Sequence, residues 1–108
     1  MPVGRGLQVE VLRAGAEVRM SGRLDSRSAP SARALLHEAL ETGAGDLTVS
    51  MRAVEIWDGT GLGVLAGASR RAARAGRRLV LTDVPPRELR LLKVARVPRT
   101  AAVVPALA

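Results

Sequence analysis

The sequence has no cysteine, phenylalanine or tyrosine, only one tryptophan, Trp57, and only one histidine, His37. Without cysteine there can be no disulfide, no thiolate nucleophile and no cysteine-bound zinc. A single histidine rules out multi-histidine metal sites and gives a Ser-His-Asp arrangement almost no support. No metal, no cofactor and no enzymatic activity are therefore expected, since no convergent acid, base and nucleophile can be assembled. No segment approaches the ~20 apolar residues that span a bilayer. Met1-Pro2-Val3-Gly4-Arg5-Gly6 lacks the apolar run of a secretory signal. The cytoplasm is the expected compartment, without membrane insertion.

With so few aromatics, the core must be filled by leucine, valine, isoleucine and alanine, through many small contacts. At 108 residues and 47% hydrophobic, the chain can close such a core, burying roughly two-thirds of its unfolded surface. It reads as a single domain, 1–108, with its core over 7–104. The formal net charge of +7 is almost all arginine, Lys93 being the only lysine. A basic balance suits nucleic acid, an anionic surface or an acidic protein partner.

Leu7-Gln8-Val9-Glu10-Val11 alternates apolar and polar, Ala14-Gly15 offers a turn, and Glu17-Val18-Arg19-Met20-Ser21 resumes the alternation. This predicts a hairpin. After Gly22-Arg23-Leu24-Asp25, Ser28 before Ala29-Pro30 predicts a helix start. Ala32, Leu35, Leu36, Ala39 and Leu40 then share one helical face, with His37 on the polar side. Gly43 ends that helix, and Leu47 to Met51 predicts an interior strand. Val54 and Ile56 lead to Trp57, which is expected in the core.

A second helix is predicted from Leu62 to Ala75, with Leu62, Leu65, Ala66, Ser69 and Ala73 on its packing face and Gly76 closing it. Leu79-Val80-Leu81 predicts a strand buried on both faces. Pro85-Pro86 opens a third helix carrying Leu89 and Leu92, with Val94 at its end; Pro98 stops it, and Ala101 to Val104 predicts a short edge strand. A hairpin followed by helix–strand alternation means an α/β fold: a mixed sheet with parallel central strands and helices packed mainly on one face.

Between the second interior segment and the second helix stands Asp58-Gly59-Thr60-Gly61, followed by Leu62-Gly63-Val64-Leu65. A hydroxyl there lies at a helix mouth, where backbone N–H groups and the macrodipole favour negative charge. Capping by Asp58 or Thr60 and phosphate acceptance by Thr60 are compatible roles. Gly61 and Gly63 lack the full glycine spacing of a dinucleotide fingerprint.

This order of elements, with Gly22-Arg23-Leu24-Asp25 before the first helix and Asp58-Gly59-Thr60-Gly61-Leu62 before the second, resembles the STAS domain. The resemblance runs from about Val9 to Val104 and is greatest to the single-domain anti-sigma factor antagonists of bacteria. Leu79-Val80-Leu81 and the helix of Arg90-Leu91-Leu92 fit the same pattern. The resemblance implies binding to an anti-sigma factor with serine/threonine kinase activity, release of a sigma factor for transcription, and inactivation by phosphorylation of the tetrad's third residue, here Thr60. It also places Asp25 and Ser26 beside the tetrad, so that Asp25, Ser26, Asp58, Gly59, Thr60, Gly61, Leu62 and Arg70 would meet the partner. Gly59 and Thr60 stand where the family usually has two serines, and Ser50 where an aspartate is common at a strand end.

Each of these residues also has a purely local reading. Asp58 can be a cap, and Asp25 and Ser26 ordinary turn formers. Arg70, Arg71, Arg74, Arg77 and Arg78 form the densest positive run, with Arg77 and Arg78 expected in the turn after the helix; they suit a solvated helix end or an acidic partner surface. Two alternatives stand beside the antagonist reading. One is a STAS docking subunit of a stress-signalling assembly or lipid-transport ABC system, without phosphorylation. The other is a basic nucleic-acid binder, disfavoured because there are no aromatics to stack bases. A monomer or weak dimer is expected.

Overall fold

In a computed structural model, which describes residues 6–107, the chain runs through strands β1 (Leu7–Arg13) and β2 (Glu17–Leu24), helix α1 (Ala29–Glu41) and strand β3 (Asp46–Ile56). It continues through helix α2 (Gly59–Arg74), strand β4 (Arg78–Val84), helix α3 (Pro86–Val94), a 3-10 turn (Val97–Arg99) and strand β5 (Ala102–Pro105). The sheet order is β1-β2-β3-β4-β5. β1 pairs antiparallel with β2, Val9 opposite Met20. The remaining pairings are parallel, with Leu24 beside Ile56, Leu47 beside Leu79, and Leu81 beside Val103. This is the mixed α/β sheet that the alternating pattern calls for.

One cluster of buried residues draws on all three helices and on the strands, including Val18, Met20, Leu36, Leu47, Val49, Leu65, Leu79, Leu81 and Leu92. All the helices therefore cover the same face. On the other face polar side chains sit in register: Glu10 opposite Arg19, Arg19 beside Ser50, Ser50 beside Thr82. The Arg19 guanidinium donates to the Glu10 carboxylate at 3.0 Å. An open face with hydroxyls and an ion pair needs no cover, as expected for a sheet solvated on one side.

Several elements differ from the sequence expectation. β3 is longer than Leu47–Met51, because Val54 and Ile56 continue the same strand. Ser50 therefore lies in mid-strand, not at a strand end. In α2 the buried residues are Gly61, Val64, Leu65, Ala68, Ser69 and Ala72; Ala73 faces solvent and Leu62 and Ala66 are half-buried. The buried face keeps Leu65 and Ser69 of the expected one but takes in Val64, Ala68 and Ala72 in place of Leu62, Ala66 and Ala73. Val94 is 82% exposed. Ser28 occupies the N-cap position of α1 without making the capping bond; its hydroxyl donates to the Arg23 carbonyl at 2.9 Å. His37 is half-buried, its Nε2 lying 2.8 Å from the Glu41 carboxylate.

The largest departure is Arg77. Gly76, at φ +70°, closes α2 in the usual left-handed manner: its N–H donates to the Ala73 carbonyl at 3.1 Å and the Arg77 N–H to the Ala72 carbonyl at 2.8 Å. That turn directs the Arg77 side chain inward, where it is only 8% exposed. Its guanidinium donates to the carbonyls of Ala39, Leu40 and Thr42 at 3.0, 3.0 and 3.1 Å. It also donates to Gly45 at 2.8 Å and to Gly15. The carbonyls of Leu40 and Thr42, left unpaired at the end of α1, are thus satisfied from 35–37 residues away. Arg77 belongs to the scaffold, while Arg70, Arg71 and Arg74 remain exposed and Arg78 opens β4, donating to Asp46 at 2.9 Å.

Candidate functional site

Parallel pairing of β2 with β3 places Leu24 beside Ile56, so the loops leaving the two strands emerge side by side. The Leu24 carbonyl accepts from the Trp57 N–H at 2.9 Å. Gly61 packs against the same carbonyl: a Cβ at Gly61 would lie 2.3 Å from that oxygen. Only glycine lets α2 begin this close to the end of β2.

Asp58 is the N-cap of α2, and its carboxylate has two jobs. Oδ1 accepts from the Gly61 N–H at 2.9 Å, and Oδ2 accepts from the Ser26 N–H at 2.9 Å. The first bond caps the helix. The second ties the β2–α1 loop to the β3–α2 loop. In that first loop Asp25 acts locally, its Oδ1 accepting from the N–H groups of Arg27 at 2.9 Å and Ser28 at 3.1 Å. Asp25 thereby closes the turn before α1, and its backbone carbonyl accepts from the Ala29 N–H at 2.9 Å.

Thr60, second residue of α2, is exposed, and its hydroxyl takes part in none of the side-chain hydrogen bonds among the described residues. Gly59 is open, with nothing within 4 Å of a Cβ placed there. Leu62 is half-buried, and Arg70 lies two turns further along, exposed. The fold therefore brings Asp25, Ser26, Asp58, Gly59, Thr60 and Gly61 to one end of the sheet, with Arg70 farther down α2.

Sequence reasoning missed the other flank. The Glu88 carboxylate, 4% exposed, accepts from the Ile56 N–H at 3.2 Å. Arg87 donates to the Ile56 carbonyl at 2.9 Å and to Glu88 at 2.7 Å. The first turn of α3 thus holds the end of β3 as Asp58 holds the start of α2. In sequence, Arg87-Glu88 looks like any charged first turn, and nothing local marks the glutamate as buried. Trp57, expected in the core, is 54% exposed, because it follows inward-facing Ile56 and the strand alternation turns it outward.

The N–H of Gly61, then that of Ser26, hold the Asp58 carboxyl below the ordinary carboxylate range. A carboxyl lowered in the folded state stabilises it above the unfolded value, ~3.9, and that contribution is lost as pH falls through the lower folded value. In an NMR acid titration the Ser26 and Gly61 amide signals should move together, with one midpoint below that of an unperturbed aspartate. In Asp58→Asn the shared transition should disappear. Separate midpoints would mean that one carboxylate does not join the loops, and a common one at the ordinary value that these bonds do not favour its charged form.

Comparisons with known proteins agree with this architecture. A family model described as Mlab, STAS domain, matches residues 7–105. The anti-sigma-B factor antagonist of Bacillus subtilis (strain 168) is 35% identical over 78 residues, covering 72% of this chain and 71% of that protein. Among solved structures, a putative anti-sigma factor antagonist from Thermotoga maritima superposes with a TM-score of 0.71 at 17% identity, covering 91% of this chain and 85% of that one. The Bacillus cell fate determinant SpoIIAA in its phosphorylated form superposes with a TM-score of 0.68 at 17% identity, covering 90% and 89%.

Proposed function

The chain belongs to the STAS domain family, among its anti-sigma factor antagonists, and from that premise we propose that it binds an anti-sigma factor with serine/threonine kinase activity and is switched off by phosphorylation of Thr60. The observation that carries this reading is the exposed Thr60 hydroxyl on the first turn of α2, beside a loop that Asp58 holds in place. The contact surface is the Asp25–Ser26 loop, the tetrad, Leu62 and, farther along α2, Arg70. The chain acts as a single STAS domain with its core over 7–104, as a monomer or weak dimer in the cytoplasm. It is a binding protein with no catalytic role and no direct contact with nucleic acid, and it regulates transcription through release of a sigma factor.

In the transfer, the Thr60 oxygen attacks the γ-phosphorus of ATP, the bond to the ADP oxygen breaks, and the hydroxyl proton passes to a base of the kinase. The kinase brings the nucleotide, the metal and the base. The product carries roughly −1.5 to −2 charges. A helix N-terminus accommodates them, so the fold survives, whereas acidic groups across an interface do not.

Like charges facing one another in an interface cost several kcal/mol, so Thr60→Asp should weaken binding to the cognate anti-sigma factor by roughly a hundredfold. Thr60→Ala should bind as the natural chain does and stay bound when ATP is added. Calorimetry with and without ATP reads both. Equal binding by all three proteins under both conditions would rule the switch out.

Gly59, standing where the family usually has serine, favours a second reading: a STAS docking subunit of a stress-signalling or lipid-transport ABC assembly, without phosphorylation. On that reading the chain co-purifies with complex subunits whether or not ATP is present.

A further inference from the structure

The core contains no aromatic ring, and the chain's only one is left outside. Trp57 is 54% exposed, although exposing an indole forfeits a large apolar burial. The ring is held: the Arg23 guanidinium lies over it, 4.7 Å from its centroid. Next to it Ile56, Leu62 and Leu91 line a cleft of about 190 Å³, bordered by Asp58, Gly59 and Arg87. Arg87 uses one nitrogen on the Ile56 carbonyl and Glu88 and remains 56% exposed. The Asp58 carboxylate is occupied by N–H groups of its own loops. The cleft therefore has an apolar floor, a pre-positioned indole wall and one guanidinium, Arg87, at its edge, with Arg23 stacked on the indole itself.

We propose that Trp57 and this cleft are the anchor point for the anti-sigma factor, receiving from it one apolar side chain flanked by a carboxylate that pairs with Arg23 or Arg87. The proposal rests on the antagonist reading and adds to it the α3 side of the tetrad, opposite the Asp25 loop. Three arguments support it. Tryptophan and arginine are the residues most enriched where binding energy concentrates. A ring already fixed under a guanidinium loses little freedom on binding. The cleft is also continuous with the switch, because Asp58, Gly59 and Leu62 line it and Thr60 stands between them. A phosphate on Thr60 would then set its charge against the same carboxylate that the arginines attract.

As the sole tryptophan, Trp57 gives one ¹⁹F resonance when the full chain is labelled with 5-fluorotryptophan. Adding the purified cognate anti-sigma factor should shift that resonance. Trp57→Ala should weaken the complex more than tenfold, Arg23→Glu should do at least as much, and Arg52→Ala, on the open sheet face, should change nothing. Both site residues are exposed, so circular dichroism should show unaltered folding. A stable complex that leaves the resonance unmoved and binds Trp57→Ala as tightly would overturn the anchor and leave the antagonist reading intact. No complex with the unaltered chain would overturn both.

Discussion

Gly61→Ala should lower the stability of the domain by about 3 kcal/mol, at the upper end of what overpacking costs, and roughly 10 °C in Tm. In most helices the same change is favourable, by up to about 1 kcal/mol. Here the added carbon would lie 2.3 Å from the Leu24 oxygen, 2.7 Å from its carbon and 3.2 Å from the Asp25 nitrogen. These are backbone atoms, and the carbonyl is already held by the Trp57 N–H, so no side-chain rotation gives relief. The first turn of α2 must move off β2, stretching the Asp58 bond to Ser26. Gly63→Ala is the control: Gly63 is exposed, nothing lies within 4 Å of its Cβ position, and a gain of roughly 0.5–1 kcal/mol is expected. Thermal melts distinguish the two; a rise in Tm for both would mean that α2 does not start against Leu24.

Arg77→Met should be at least as damaging, at about 3–5 kcal/mol. Removing the guanidinium leaves carbonyls of Gly15, Leu40, Thr42 and Gly45 without their donor, while Ala39 keeps only the Thr42 N–H, and each carbonyl that stays buried unpaired costs about 1–3 kcal/mol. Water reaches some of them, which keeps the sum below the full count. Against total stabilities of roughly 5–15 kcal/mol, that loss leaves a marginal domain. Arg77→Lys should recover little, because a single ammonium cannot reproduce the planar fork. Urea denaturation measures both. A loss below about 1 kcal/mol for Arg77→Met would show that the end of α1 is hydrated and needs no partner.

These two positions also mark how far the sequence could be read. The strands, the helices and their order follow from period-two and helical spacing, and Asp58 is recognisable as a cap because aspartate before a glycine-rich helix start has few other uses. The clamp from Asp58 to Ser26 was not legible, since it spans 32 residues and depends on which strands pair. Arg77 looked like one more member of a charged run. Its burial arises only when the Gly15 turn, the end of α1 and the Gly45 loop converge on it, up to 62 residues away. Residue type points Trp57 to the core, whereas the inward alternation of Val54 and Ile56 turns it outward. The packing face of α2 is only partly legible: Leu65 and Ser69 lie on it as expected, but with alanine and glycine on every side the helical phase is weakly marked, and Val64, Ala68 and Ala72 take the places expected of Leu62, Ala66 and Ala73.

The most direct test is to mix the chain with its anti-sigma factor and magnesium ATP, map the phosphate by mass spectrometry, and follow the complex by gel filtration over the same interval. One phosphate per chain, on Thr60, appearing as the complex dissociates is the result expected of a switch at the mouth of α2. Phosphate on another residue, or a complex that persists once Thr60 is fully modified, would contradict it.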